Sequence, residues 1–492
     1  MNNLNDIIVG LDIGTTKIAC FIGQRSSEGK IKIIGFGRTE SKGVERGVVK
    51  NIKDTAISIK KAVDEATEQA GIAINEVYVG IAGQHIKSTR NLGSYNIKDH
   101  DIITNEDVNK LIEDQYGIAV PPGEEIIHVF PQNFIVDDEE LSPSVDPVGV
   151  VGKVIKSNFH IVRGNTMNLR AIHESVERAG LRIKGVVLEP IASSYAVLDD
   201  TDRDAGVALV DIGGGTTDIA IFKDGIIRHT TVLPLAGNAI TNDIKENCRI
   251  MRGQAEALKT RFGSCLPENV SENDIISIPG LRSQPPREIS MRTLAGIIKA
   301  RTETIIEQVK FEIEESHLEK DIFAGIVLTG GGAQMRHIKE FTEFTTGIDA
   351  RIGLPDEHLD KDTNPEIINT MYATGIGLVL YGFDKLDEKR AFENDIESEQ
   401  PEPVKETPKE EPAQTTPNDI FADLPDVETT TPNIDDVETE QPKEPDNKPD
   451  TTAKRPRRPG WGSQAMKAID KYFGRVFGDD NIKNEGKEER DI

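Results

Sequence analysis

Two stretches of this chain repeat one pattern about 200 residues apart. Ile7 to Gly23 reads "IIVGLDIGTTKIACFIG", and Val207 to Gly225 reads "VALVDIGGGTTDIAIFKDG". Each is an apolar run reaching an Asp, a glycine–threonine turn, and a second apolar run. Such runs are strands of a sheet covered on both faces. Between them, "DTAISIKKAVDEATEQAG" and "NTMNLRAIHESVERAG" have helical spacing and stop at a glycine suited to a C-cap. Strands alternating with helices, and the hairpin given twice, predict a duplicated α/β fold with a cleft between its halves.

The turns themselves carry chemistry. In "GLDIGTTK" a strand delivers Asp12 to its end, and Gly14, Thr15, Thr16 and Lys17 follow. Glycine lets backbone approach an anion, and successive N–H groups with hydroxyls cradle phosphate oxygens. Alone, the string is equally an ordinary hairpin turn. The second copy decides between the two, because Gly213, Gly214 and Gly215 are too many for a turn and suit backbone wrapped around a ligand. Thr216 and Thr217 repeat the hydroxyls, and the two loops facing each other would clamp a polyphosphate. Asp12 and Asp211 would then hold waters on a bound Mg²⁺. A third strand in "GIVLTGGGAQMRHIKEF" runs into Gly330, Gly331 and Gly332. Neither a P-loop nor G-x-G-x-x-G occurs.

The formal net charge is −26, unevenly spread. Residues 387–453 hold 21 acidic and 6 basic side chains, residues 454–477 hold 7 basic and 1 acidic, and the body up to Leu386 keeps a net of −14. So acidic a body excludes non-specific nucleic-acid binding, which needs clustered Lys and Arg. Three scattered cysteines fit a reducing compartment and have no metal-ligand spacing. Without a signal-like N-terminus or an apolar run of spanning length, the chain reads as cytoplasmic. Residues 387–459, rich in Pro, Glu, Asp and Thr, cannot bury enough apolar surface to fold and predict an extended, disordered linker.

The order "DIGTT", "LEPIASSYAVL", "DIGGGTTD", "LTGGGA" and "YATGIGLVLYG", over about 370 residues, resembles the actin, Hsp70 and sugar-kinase ATPase superfamily. Within it, "GVERGVVKNI", "VYVGIAGQHIKS", "GNAITNDI" and "MYATGIGLVLYG" are similar to the bacterial division family FtsA. That resemblance implies an actin-like protein that binds ATP and Mg²⁺, polymerises on the cytoplasmic face of the inner membrane at midcell, and tethers FtsZ filaments. It implies that Gly14, Thr15, Thr16 and Lys17 contact the phosphates from one side and Gly213 to Thr217 from the other, with Gly330 to Gly332 beside the adenosine. Glu256 and Lys259 match ribose-contacting positions, though on a helix they are also i and i+3, a surface salt bridge. Glu189 falls near the expected metal and attacking water. No general base is committed, so nucleotide binding is expected, with hydrolysis weak or absent.

The resemblance also implies a domain plan. Residues 1–82 and 162–198 form the first half, 83–161 an inserted subdomain for polymer contacts and later division proteins, and 199–386 the second half. Residues 241–323 form the subdomain that receives the FtsZ C-terminal tail, with Arg287 and Arg301 as partners for its acid. A type IV pilus protein sharing this core is the nearest alternative. An Hsp70-like chaperone would need a substrate domain after residue 386, and a sugar kinase would need a catalytic Asp with sugar-binding inserts.

Residues 460–478 complete the plan, ahead of a charged tail at 479–492. On a helical wheel Trp461, Ala465, Met466, Ile469, Tyr472, Phe473, Val476 and Phe477 share an arc of about 160°. Lys467, Lys471 and Arg475 lie opposite, and "KRPRR" precedes the helix. An apolar face with flanking cations, and nothing folded beside it, is the pattern of a helix lying on anionic lipid. One such helix binds weakly, so a polymer would supply the needed copies.

Overall fold

The computed structural model describes residues 6–398 apart from 28, 99, 143–144, 272 and 281–284, with backbone alone for 391–398. The first hairpin is β1 (Ile7–Ile13) against β2 (Lys17–Arg25), closed by Gly14–Thr16 in antiparallel register with Ile13 opposite Ile18. β3 (Ile31–Glu40) continues the meander. A small hairpin, β4 (Val44–Glu45) and β5 (Val48–Val49), leads to α1 (Ile52–Ala70). Asn51 caps α1 by accepting from the Asp54 N–H, and Gly71 ends it at a left-handed φ of 68°. β6 (Glu76–Ile81) then lies parallel to β1.

The chain next leaves the sheet. β7 (Lys87–Asn96), α2 (Asn105–Tyr116), β8 (Glu124–Val136), β9 (Glu139–Glu140) and β10 (Val154–Asn165) build a separate sheet in the order β7-β10-β8-β9. α2 opens with a reciprocal cap between Thr104 and Asp107 and buries Val108, Leu111 and Ile112. β10 runs past residue 161, the expected limit of the insert, to Asn165, whose side chain caps the next helix. That helix, α3 (Thr166–Arg178), returns the chain to β11 (Arg182–Leu188), completing a five-stranded sheet ordered β11-β6-β1-β2-β3. The insert also reaches the other half. Gln132 Nε2 donates to the Ile227 carbonyl at 2.8 Å, and His160 Nε2 lies 2.8 Å from Thr230 Oγ1.

α4 (Glu189–Val197) and α5 (Asp200–Ala205) lead into the second half. There the chain runs through β12 (Val207–Ile212), β13 (Thr217–Lys223) and β14 (Ile226–Leu233), then α6 (Gly237–Cys248), α7 (Arg252–Phe262), a separate hairpin of β15 (Ile275–Ile278) and β16 (Arg287–Ser290), and α8 (Met291–Glu315) before β17 (Ile326–Thr329). α9 (Ile338–Thr346) and β18 (Ala350–Ile352) finish it. The order β14-β13-β12-β17-β18 repeats the first sheet position for position: three antiparallel strands, then two parallel ones. Alternation along β12 sends Val207 and Leu209 into the core shared with the first half and Ala208, Val210 and Ile212 into a second core under α6 and α8.

α10 (Ala373–Ser398) crosses α4 between the halves. The contact is backbone to backbone, since a Cβ on Gly377 would stand 1.7 Å from the Ala192 carbonyl oxygen. α10 also corrects the expected linker boundary: residues 387–398 are helical. They lack proline; Lys385 to Glu388 (2.7 Å) is an ion pair one turn apart within the helix, while Arg25 to Asp387 (2.8 Å) and Arg390 to Asp6 pin this end of it to the body. The rest of the linker, the tail, and the helix with Trp461, Met466, Lys467, Ile469, Lys471, Tyr472, Phe473, Arg475, Val476 and Phe477 lie outside the described residues. Among the described residues no helix is long and apolar enough to cross a membrane.

Candidate functional site

The two glycine–threonine loops meet tip to tip. A Cβ on Gly214 would come 1.9 Å from Thr16 Oγ1, and one on Gly215 would come 2.5 Å from Thr15 Oγ1 and 2.9 Å from the Arg46 backbone. Only glycine allows this approach. The β4–β5 hairpin covers the first loop, with Gly47 N–H donating to Thr15 Oγ1 at 3.0 Å. On the other side, Gly237 and Asn238 at the start of α6 donate their N–H groups to the Gly213 and Gly214 carbonyls at 3.1 and 2.8 Å.

Beneath the loops lie four carboxylates and one ammonium. Lys17 Nζ donates to Asp12 Oδ2 at 2.5 Å and stands 5.6 Å from the centre of the Tyr372 ring. Burial works against the Lys17 charge, but Asp12, Asp211 and Glu189 outweigh it and hold the ammonium above its ordinary range. Asp211 accepts from Ser193 Oγ at 2.7 Å and Thr374 Oγ1 at 3.2 Å. Asp218, 2% exposed, accepts from Thr216 Oγ1 at 3.0 Å, while its Oδ1 is buried without a partner. Glu189, half-buried at the start of α4, is raised well above the ordinary glutamate range by desolvation and then by Asp218, Asp12 and Asp211, with Lys17 opposing. Burial, then Asp211, raises Asp218 as well.

Such a site fits a cation. Its acids outnumber its ammonium, and Asp218 Oδ1 is an orphaned acceptor. Among the described residues no three side chains converge to ligate a metal directly, so Asp12, Asp211 and Asp218 would hold one through water. The glycine loops suit an anion in the same place, through backbone N–H groups and the Thr15 and Thr16 hydroxyls packed against them.

The remaining expected residues divide. Lys259 on α7 donates to Gly237 O (3.0 Å), Thr241 Oγ1 (2.8 Å) and Glu256 Oε2 (2.9 Å). The salt bridge thus forms, but it is wedged against the α6 terminus that holds the second loop, and burial lowers the Lys259 ammonium despite Glu256. Gly330, at φ 84°, packs directly on Asp211: a Cβ there would come 2.3 Å from Oδ1. Gly331 and Gly332 open the turn that follows. Thr217 does not face the cleft, since its hydroxyl donates to Leu235 O at 2.7 Å. Arg301 is far from free: it grips Asp243 with two bonds of 2.6 and 3.1 Å, while Arg287 donates to Cys248 O at 3.1 Å. Sequence reasoning missed Asp218, Ser193 and Thr374. Each sits inside a quoted motif, as the last acid of "DIGGGTTD", a serine of "IASSY" and the threonine of "YATGIG".

Comparison with known proteins agrees with this architecture. A family model described as "Cell division protein FtsA" matches residues 208–377, and one described as "SHS2 domain inserted in FTSA" matches residues 83–163. The chain is 37% identical to Cell division protein FtsA of Pseudomonas aeruginosa over 379 residues, 77% of this chain and 90% of that protein. It is likewise 37% identical to Cell division protein FtsA of Neisseria meningitidis serogroup B, over 75% of this chain and 88% of that protein. Among solved structures, the PilM-PilN type IV pilus biogenesis complex superposes with a TM-score of 0.56 at 15% identity, covering 76% of this chain and 98% of that one, a likeness of fold alone.

Proposed function

Because this chain belongs to the FtsA family of cell division proteins, we propose that it binds ATP with Mg²⁺ between its two glycine–threonine loops, assembles into filaments on the cytoplasmic face of the cell membrane, and ties FtsZ filaments to that membrane. The observation that carries the nucleotide reading is the meeting of Gly214 and Gly215 with Thr16 and Thr15 above acids that exceed their cations. A polyphosphate entering there would be received by backbone N–H groups from both halves and by Lys17. Mg²⁺ would neutralise the buried carboxylates and the phosphates together. Glu256 and Lys259 stand beside the second loop, where a ribose would lie. Nucleotide binding is proposed without turnover, because no residue of the site is assigned as a general base.

Membrane attachment is assigned to residues 460–478. Their apolar face and opposing Lys467, Lys471 and Arg475 suit anionic lipid, and linked copies in a filament turn a weak contact into a firm one. FtsZ attachment is assigned to the subdomain around α8. Arg301 is engaged by Asp243, so an acidic tail there would meet Arg287 first.

The deciding experiment is co-sedimentation of the full chain with vesicles of phosphatidylglycerol and phosphatidylethanolamine. Wild type should pellet with them, while Phe473→Glu stays in the supernatant and still binds ATP. Equal pelleting of both proteins overturns the anchor. A pull-down with FtsZ of the same organism tests the partner, and no retention on a membrane-competent chain overturns that assignment.

A further inference from the structure

Asp211 is held from the two helices that cross between the halves. Ser193, on α4, donates to its Oδ2 at 2.7 Å, and Thr374, the second residue of α10, donates to the same oxygen at 3.2 Å. Each hydroxyl has one hydrogen and gives it to the carboxylate, so their own 3.0 Å approach is a close contact between two donors already engaged. All three groups are buried, with Ser193 at 0%, Thr374 at 8% and Asp211 at 7% exposure. The donors belong to the two helices that cross between the halves, and the crossing is tightest beside them, where Gly377 meets the Ala192 carbonyl. The acceptor ends β12 of the second half. Its other oxygen, Oδ1, is turned to the Gly330 loop.

Two donors on one oxygen leave a carboxylate a single orientation, since any rotation about χ2 would forfeit a bond and bury an unmatched acceptor. Among the described residues no lysine bonds to Asp211, which feels Lys17 only through space, whereas Asp12 has Lys17 at 2.5 Å. The hydroxyls therefore do for Asp211 what an ammonium does for Asp12, with one difference: they leave its charge uncancelled. We infer that Ser193 and Thr374 are positioning residues for Asp211, fixing Oδ2 so that Oδ1 is presented to the waters of a bound divalent cation, and that the crossing of α4 and α10 thereby sets how strongly nucleotide binding depends on that cation. The inference rests on the nucleotide reading above. It goes further in making the crossing of α4 and α10 part of the cation site.

The test is a Mg²⁺ titration at fixed fluorescent ATP analogue, on the full chain, beside the same measurement in excess EDTA. In the Ser193→Ala/Thr374→Val double variant the half-saturating Mg²⁺ concentration should rise by about tenfold, the usual effect of losing groups that orient metal-facing ligands. Affinity in EDTA should stay at the wild-type value, and Thr374→Ser, which keeps the hydroxyl, should titrate like wild type. A purely structural role would lower the melting temperature and leave the Mg²⁺ midpoint in place, and that result overturns the inference. Should the double variant fail to fold, Thr374→Val alone removes the longer bond, and an unchanged midpoint there overturns it equally. A wild-type chain that binds the analogue without any Mg²⁺ dependence overturns the cation reading itself, and the positioning role with it.

Discussion

The two glycine–threonine hairpins share strand order and antiparallel register, yet they hold their acids by opposite means. The first pairs Asp12 with its own Lys17. The second has no lysine in its loop, gives Asp211 hydroxyls from two helices, and leaves Asp218 with one hydrogen bond and a bare oxygen. Their glycines differ too. A side chain on Gly14 would strike the Lys17 carbonyl of its own turn at 2.9 Å, while side chains on Gly214 and Gly215 would strike residues of the other half. One copy is thus electrostatically complete and locally packed. The other lacks a positive charge and is packed against its counterpart. In a duplicated fold, the copy that fails to satisfy itself marks where a ligand belongs.

The comparison is most easily broken at the glycines. Gly214→Asp puts a carboxylate between the loops, at a point 1.9 Å from Thr16 Oγ1 and in the path of any phosphate. ATP affinity measured by calorimetry should fall by at least about 100-fold, roughly 3 kcal/mol. Gly14→Ala strains only its own turn and should cost less than about tenfold. Equal losses would mean that both loops approach the ligand alike, and the asymmetry would go.

Lys17→Met is the next test. It strips a cation whose partner, Asp12, is only 4% exposed, so it should lower the melting free energy by about 2 kcal/mol. Adding Asp12→Asn should restore most of that loss, because the unpaired charge is then gone as well. If the single variant melts like wild type, Asp12 is not dependent on Lys17, and the first copy is not the self-sufficient one.

How much of this was legible beforehand follows from the range of each interaction. Strands such as Ile7–Ile13 declare themselves, because burial on both faces forces an unbroken apolar run. The duplicated sheet followed from the hairpin being written twice. The helical course of residues 387–398 was hidden, since charge composition alone cannot distinguish a solvated helix from a disordered tether. Arg25 and Asp6, which pin it, lie more than 360 residues away. Ser193 and Thr374 were hidden for a similar reason: a hydroxyl on a helix has no pattern of its own until the fold brings Asp211 to it. The engagement of Arg301 was hidden likewise, because Asp243, on α6, is brought to it only by the fold.

The smallest effect is also the sharpest probe of the missing charge. In the nucleotide-free chain burial, then Asp211, raises the Asp218 carboxyl, so the folded protein keeps a proton there that the unfolded chain has released. A folded state that binds more protons loses stability as pH rises, from the ordinary Asp range up through the raised one. Buried histidines act in the other direction: burial depresses His128 and His160 to about 3 and His85 to about 4, so their contribution is lost as pH falls below their ordinary range. Above about pH 6.5 those rings are neutral in both states, and the acids act without them. Between about pH 6.5 and about pH 9, Asp218→Asn should therefore melt progressively above wild type, by about 1 kcal/mol or roughly 2 °C at the upper end. Saturating Mg²⁺ and ATP should close the gap from the wild-type side by supplying the positive charge that the second hairpin lacks. Parallel pH profiles for the two proteins would show that Asp218 is already ionised and matched in the folded chain, and the contrast between the hairpins would reduce to one of packing.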